Sequence, residues 1–436
     1  MRKTNQRDRG SLLIRGGRVI DPAAGIDASM DVLLRDGRVA EIAPPNKIRD
    51  SAGEKFNARG LIVAPGFIDL HVHLREPGQR HKETIASGTA AAAGGGFTSV
   101  CCMPNTTPVV DSPELVDWLR QPSRGAVVNV FPIAAATRAS AGAALTDFRA
   151  LRAAGAVAVT DDGRPILADN VMRHALELAS QADLCVIQHA EDTRVTENCS
   201  MHEGPTAFRL GLRGMPSTAE SAIVDRDVHL AQATGGRLHV AHLSTAEALN
   251  PVRRGKRNNV RVTCEVTPHH FTLTDNNVGE YDTSFKMNPP LRSGADRQAM
   301  VAALADGTVD AIATDHAPHA LHEKQMEFER APFGITGLET ALGLAVTVLH
   351  RQHGIPLTRI VELFTSGPAR VLDLRGRGSL AVGNFADVTI FDPKKKWTFD
   401  AARSRSQSHN TPFDGWQFTG KVMATIVGGN VVYRDA

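Results

Sequence analysis

At 436 residues, 42% apolar and 22% charged, the chain has the composition of a soluble globular protein, long enough for one large domain plus a smaller one. A formal net charge of +2 offers no polyelectrolyte argument for nucleic acid or a membrane surface, and no apolar run reaches bilayer-spanning length. The five cysteines form no C-x-x-C pair. Cys101, Cys102, Cys185 and Cys264 lie in apolar strand-like runs and read as buried small hydrophobes in a reducing cytoplasm, whereas Cys199 lies in a polar stretch and stays unassigned.

In chain order, residues 1–10 are charged and polar with no apolar core, which reads as a disordered extension and not a secretory signal. Short strands follow at 12–20, broken by Gly-Gly, and at 32–42 around an Asp36-Gly37 turn. From 61 to about 349, apolar runs alternate with segments of helical period. The strands are predicted at 61–70, 98–103, 127–135, 156–160, 184–188, 237–241, 260–266 and 309–314, with helices including 84–93, 170–182, 218–234 and 296–305. Eight such strands predict an α/β fold of the (β/α)8 TIM-barrel type over 64–369. A doubly wound sheet is the competing arrangement, but no Gly-rich phosphate loop opens the first helix. Further strands at 387–391 and 425–433 share the cadence of the N-terminal ones. A small β-sandwich is therefore expected from 11–63 and 370–436.

In a barrel the chemistry sits where strands run into the following loops. The first strand ends in Gly66-Phe-Ile-Asp-Leu-His-Val-His-Leu-Arg-Glu-Pro-Gly78. Residues i and i+2 of a strand share a face, so His71 and His73 project together, with Arg75 close behind. Alone, such a pair is weak, because strand histidines are more often satisfied polar residues than ligands. The other strand ends supply Thr160-Asp161-Asp162-Gly163, His189 in the fifth, His242 in the sixth and Asp315 in the eighth. Imidazole and carboxylate suit Zn²⁺. Six candidates exceed the needs of one tetrahedral ion, so two ions sharing a bridging carboxylate fit better. Spacing does not choose between Asp161 and Asp162. His239 faces the opposite side from His242 and reads as structural, and His316 as packing or as an outer neighbour of the metal ligands. His269 and His270 divide evenly between structural and functional readings. His81, His174, His202, His229 and His322 have no motif around them and read as solvated.

At this point the sequence resembles the amidohydrolase superfamily, and within it the type I dihydroorotases, over nearly the whole chain. The matching motifs are Asp69-Leu-His-Val-His-Leu-Arg-Glu-Pro-Gly78, Met103-Pro-Asn-Thr-Thr-Pro108, Thr160-Asp-Asp-Gly163 and Thr267-Pro-His-His270. Lys286-Met-Asn-Pro-Pro-Leu-Arg292, Ala313-Thr-Asp-His-Ala-Pro-His319 and Ala331-Pro-Phe-Gly334 complete the set. The resemblance implies one ion held by His71, His73 and Asp315, and a second by His189 and His242, with Asp162 as the bridge. Relatives that bridge with a carboxylated lysine differ here, since no lysine occupies that position. The implied reaction is the reversible cyclisation of N-carbamoyl-L-aspartate to L-dihydroorotate and water, in pyrimidine synthesis. A metal ion would lower the pKa of water from about 16 toward about 7, and Asp315 would shuttle the proton as base and then acid. Arg75 offers a planar fork for the substrate carboxylate. The resemblance adds Asn105 and His319 to that clamp, and Asn288 with the backbone of Phe333 and Gly334 for the ring amides. Residues 320–330 are polar and read as a mobile loop near the site. A homodimer and an association with aspartate transcarbamoylase are implied by analogy, with no nucleic-acid or membrane partner.

Two other readings compete. Hydrolases of hydantoin, dihydropyrimidine or allantoin share the barrel and the His-x-His pair, but generally carry the bridging lysine and lack Arg-Glu-Pro-Gly. A non-catalytic scaffold for the transcarbamoylase would be expected to lose metal ligands, and all six positions are filled here.

Overall fold

The computed structural model describes residues 10–49 and 53–435; apart from Gly10, the N-terminal extension expected over 1–10 lies outside them. Eight strands, Phe67–Val72, Phe97–Cys102, Asn129–Ala135, Ala158–Thr160, Cys185–Gln188, Leu238–Val240, Val262–Val266 and Ala311–Ile312, form one sheet in chain order. Every neighbouring pair is parallel. Helices return the chain between strands, among them Ile85–Gly94, Asp169–Gln181, Thr218–Thr234 and Gly294–Asp306. Thr84 and Ser293 open two of them as N-caps with reciprocal capping boxes, satisfying donors that a helix start leaves unpaired. Asp169–Gln181 turns Met172, Ala175, Leu176 and Ala179 inward at helical spacing, which seats it on the sheet. The expected α/β barrel is present.

The barrel closes between its first and last strands. His73 N–H donates to His316 O at 2.9 Å beside a parallel bridge from Val72 to His316. Deeper in the seam, the Asp69 carboxylate accepts from Thr314 N at 3.0 Å and from Thr314 Oγ1 at 2.6 Å. The strand bearing His71 and His73 is thereby pinned to the segment bearing Asp315.

The apolar run predicted as one strand over 61–70 is two. Ile62–Pro65 joins the sheet built by the chain ends, and Phe67–Val72 enters the barrel. Gly66 makes the crossing: its N–H donates to Asp387 O at 2.8 Å, and a Cβ there would stand 2.1 Å from Thr98 Oγ1. Only glycine permits so close an approach.

The terminal sheet has eight strands, running Asn430–Arg434, Gln417–Val427, Val388–Thr398, Ile62–Pro65, Leu12–Asp21, Ile26–Arg35 and Arg38–Ala43, with Glu54–Asn57 paired to Leu12–Asp21. Leu12, Val32, Val388 and Ile426, from both ends of the chain, share one apolar cluster. Residues 401–413 leave that sheet and lie on the barrel. Gln407 N–H donates to Glu83 at 3.0 Å and Ser408 Oγ to Lys82 O at 2.6 Å. All five cysteines are free and buried, Cys199 included. Among the described residues no helix is long and apolar enough to cross a membrane.

Candidate metal centre and active site

The first strand delivers His71 and His73 with ring centroids 5.2 Å apart. His71 Nε2 lies 3.5 Å from Asp162 Oδ1 and 3.4 Å from Asp315 Oδ1. His73 Nε2 lies 3.1 Å from Asp315 Oδ1 and 3.7 Å from Asp162 Oδ2. Across the cluster, His189 Nδ1 stands 2.9 Å from His242 Nε2, and the two face Asp162 Oδ1 at 3.7 and 3.9 Å. Six residues from five strand ends thus meet in one buried cluster with Asp162 at its middle. Asp161 turns away; its carboxylate accepts from the backbone N–H of Thr137 at 2.9 Å and from the Thr137 hydroxyl.

Three non-glycine residues here have left-handed backbone: Arg75 (φ 61°), His242 (φ 31°) and Asp315 (φ 48°). Each such conformation costs on the order of 1–3 kcal/mol and persists where the surroundings over-determine it. All three lie on the segments that aim the cluster.

The cluster suits a divalent cation. His71 Nε2 is buried without a hydrogen-bond partner, flanked by two carboxylate oxygens beyond ordinary hydrogen-bond length. The ligand atoms of His71, Asp162 and His242, and those of His71, His73 and Asp315, lie within 4.8 Å of one another in each trio. Imidazole nitrogen and carboxylate oxygen are a zinc-type donor set. Charge agrees. Burial works to raise the Asp162 and Asp315 carboxyls, but the surrounding histidines, His71 foremost, hold both well below the usual carboxylate range. Burial works to neutralise His71, and Asp162 and Asp315 override it, raising the imidazole pKa. Two anionic carboxylates in a desolvated pocket favour a cation between them.

Outside the six sit further partners, of which Glu265 and Glu191 had no role assigned from the sequence. Glu265 Oε1 meets His71 Nδ1 at 3.3 Å, and its other oxygen meets His239 Nε2 at 3.1 Å. Glu191 Oε2 meets His189 Nε2 at 2.9 Å. Asn105, expected in the substrate clamp, bonds His73 Nδ1 at 2.8 Å through Oδ1 and donates Nδ2 to Asp162 Oδ2 at 3.0 Å. The i, i+2 spacing of His189 and Glu191 was a readable signal; nothing local marked Glu265, whose role depends on cross-strand distance. His239 faces away from the six, toward Glu265 and Thr263. His316 is packing: its Nδ1 accepts from Gly337 N–H at 3.2 Å and its Nε2 meets Glu83 at 3.4 Å.

His270 is held by Thr267 Oγ1 at 2.8 Å and Pro289 O at 3.1 Å, and burial pulls its pKa to about 3. His269 is buried with Nε2 unpartnered. His202, expected in solvent, is instead buried beside Arg292 at 3.4 Å; the strand pair Met201–His202 and Gly214–Met215 folds it inward. His81, His174, His229 and His322 are exposed.

A cavity of about 210 Å³ opens over the cluster, and Arg75, Asn105, Asn288, His319, Phe333 and Gly334 all line it. Arg75 is 8% exposed and forms no ion pair among the described residues. Its Nε donates to Pro318 O at 3.0 Å, and burial lowers its pKa to about 10, so it stays charged at neutrality. Lys82 Nζ, a donor, lies 3.4 Å from His319 Nδ1, and Phe333 O, an acceptor, lies 2.9 Å from Nε2. Arg75 Nη2, a second donor, lies 3.2 Å from that same Nε2. Burial, with Arg75 and Lys82, takes the His319 pKa to about 2, so the ring is neutral. Asn288 Nδ2 donates to Glu191 at 2.8 Å. The stretch 320–330 carries a short helix, Leu321–Lys324.

Barrel and site together define a metal-dependent cyclic amidohydrolase. The fold is that of the L-hydantoinase (dihydropyrimidinase) from Arthrobacter aurescens, with a TM-score of 0.88 and 23% identity over 98% of this chain and 96% of that one. D-hydantoinase from Bacillus sp. AR9 superposes with a TM-score of 0.85 at 24% identity, over 97% and 95%. In sequence, the family described as Dihydro-orotase-like matches residues 60–248. Dihydroorotase of Solibacter usitatus (strain Ellin6076) is 52% identical over 96% of this chain and 97% of its own length. That of Anaeromyxobacter dehalogenans (strain 2CP-1) is 49% identical over 97% and 98%. The chain belongs to the dihydroorotase family.

Proposed function

We propose that the chain is a type I dihydroorotase closing N-carbamoyl-L-aspartate to L-dihydroorotate and water, reversibly, for pyrimidine synthesis. The centre would hold two zinc ions: His71, His73 and Asp315 on one, His189 and His242 on the other, and Asp162 between them. The observation that carries the reading is Arg75, a buried guanidinium without a carboxylate of its own, lining the same cavity as the His/Asp cluster. Such a group calls for an anionic partner, and a carboxylate beside a cyclic amide is what dihydroorotate brings. A hydantoin or dihydrouracil ring has no carboxylate to offer.

Arg75 would grip that carboxylate through its planar fork, with His319 and Asn105 as its neighbours in the clamp. Asn288 and the backbone of Phe333 and Gly334 would meet the ring's amide edges. The metal, when bound, supplies Lewis acidity at the carbonyl and a water of lowered pKa. In hydrolysis water adds to the ring amide carbonyl, and the Asp315 carboxylate accepts its proton. Asp315 then returns that proton to the ring nitrogen as the C–N bond breaks, and cyclisation reverses the sequence. Because the histidines keep Asp315 ionised far below neutrality, the base form is the resting form. The test is turnover of L-dihydroorotate, hydantoin and dihydrouracil by the purified metal-loaded protein. Selectivity for the carboxylated ring is expected; equal turnover of the uncarboxylated rings would reject the reading.

A further inference from the structure

The backbone at Phe333 and Gly334 is held by two side chains that do not line the cavity. The Gly334 carbonyl accepts from Lys324 Nζ at 3.1 Å and from Asn410 Nδ2 at 3.0 Å. Lys324 Nζ also donates to Pro332 O at 2.9 Å and to Lys286 O at 3.4 Å, and that Lys286 carbonyl accepts from Gly334 N–H at 2.9 Å. Asn410 arrives from residues 401–413, far along the chain. Its Oδ1 accepts from His319 N–H at 3.0 Å, its Nδ2 also donates to Ala317 O at 3.1 Å, and its carbonyl accepts from Thr336 N–H at 2.9 Å. One asparagine thus ties His319 to Gly334 across the cavity wall.

The segment it braces needs holding. Gly334 has φ +124°, and a Cβ there would stand 2.6 Å from the Cβ of Ala317, a conformation left to glycine with its large backbone freedom. Lys324 is also an odd choice for stability alone. It is 7% exposed and among the described residues forms no ion pair; three carbonyls are its acceptors. Burial, with Lys286 beside it, lowers its pKa to about 7. Burying an ammonium without a counter-ion is costly. Stability does not call for a lysine here; the position of the three carbonyls does.

We propose that Lys324 and Asn410 are positioning residues, a two-sided brace that sets the Phe333–Gly334 backbone and the His319 ring in the geometry that receives the substrate. The proposal rests on the assignment of Phe333 and Gly334 to the substrate ring.

The experiment measures kcat, KM, bound metal and melting temperature for Lys324→Met, Asn410→Asp, the double variant and Gly334→Ala, all on the full-length metal-loaded protein. Lys324→Met should raise KM about tenfold or more, the scale of one charge-assisted hydrogen bond. Its kcat and metal content should stay near the parent's, and its melting temperature should not fall. Asn410→Asp keeps the acceptor for His319 N–H and loses the donor to Gly334 O; it should also raise KM. The double variant should fall short of the product of the two effects, because both side chains hold one carbonyl. Gly334→Ala tests the underlying assignment. If it raises KM while Lys324→Met does not, the brace is wrong and the assignment stands. If it leaves KM unchanged, the assignment falls and the brace with it. A Lys324→Met protein that loses kcat, metal and melting temperature together would show a merely structural role and overturn the proposal. Should that variant fail to fold, Asn410→Asp decides by the same criteria.

Discussion

Oε1 of Glu265 lies 3.3 Å from Nδ1 of His71, and this contact fixes which nitrogen His71 turns to the centre. With Nδ1 committed to the carboxylate, Nε2 faces Asp162 and Asp315. Burial works against an ionised Glu265, but His239 and His71 hold its pKa at about 2, so the carboxylate is charged under all ordinary conditions. Outer carboxylates of this kind are worth about 10–100-fold in metal affinity. Glu265→Gln should therefore lose metal to a chelator at about 10–100-fold lower chelator concentration while its circular dichroism is unchanged. Equal retention by parent and variant would remove Glu265 from the site.

Protein purified without chelator should carry transition metal, zinc at up to two equivalents. Asp162→Ala, which removes the carboxylate facing all four histidines, should reduce that content further than loss of any single histidine. Elemental analysis decides both points, and a metal-free parent would count against the centre itself.

Arg75→Ala should leave metal content intact and weaken substrate binding, since its guanidinium lines the cavity without touching the six clustered residues. Loss of a charge-assisted bidentate contact costs on the order of 2–4 kcal/mol. Steady-state kinetics with dihydroorotate should show this chiefly in KM; unchanged kcat/KM would remove Arg75 from the clamp.

Asp315→Asn keeps shape and one oxygen but cannot accept a proton. Turnover in both directions should collapse by more than any drop in metal content explains. The measurement is hydrolysis of dihydroorotate at mildly alkaline pH by the fully zinc-loaded variant, and activity within a few-fold of the parent would leave Asp315 as a ligand only.

A stability prediction follows from Lys324, whose pKa burial lowers to about 7 against an unfolded value near 10.4. Between those values the unfolded chain binds more protons, so this group's contribution to stability rises with pH. Its cost is fully present below about pH 7 and fades toward about pH 10. Lys324→Met removes that dependence. The melting temperature of the variant relative to the parent should be highest near neutrality and decline as pH rises; a flat difference would contradict the lowered pKa.

Strand-by-strand patterning was legible because a barrel strand is a short apolar run bounded by turn residues, and Thr218–Thr234 ends where its period ends. The run 61–70 misled at one point, since an apolar stretch shows no periodicity change where it passes between sheets; the crossing at Gly66 is set by the proximity of Thr98. His202 was misread because its burial comes from a two-residue strand pair, too short to leave a pattern.

The sequence by itself determined the alternation of strands and helices and the residue types at the strand ends, since both follow from local periodicity and from which side chains can bind a cation. The choice of Asp162 over Asp161 as the neighbour of the histidines was open to spacing alone, and the packing turns one carboxylate to Thr137 and the other to the cluster. The outer contacts of Glu265 and the brace of Lys324 and Asn410 on Gly334 were decided only by tertiary structure. Their partners lie as far as 194 residues away, for Glu265 and His71, and hydrogen-bond geometry at such separation is a property of the folded backbone and not of any local pattern.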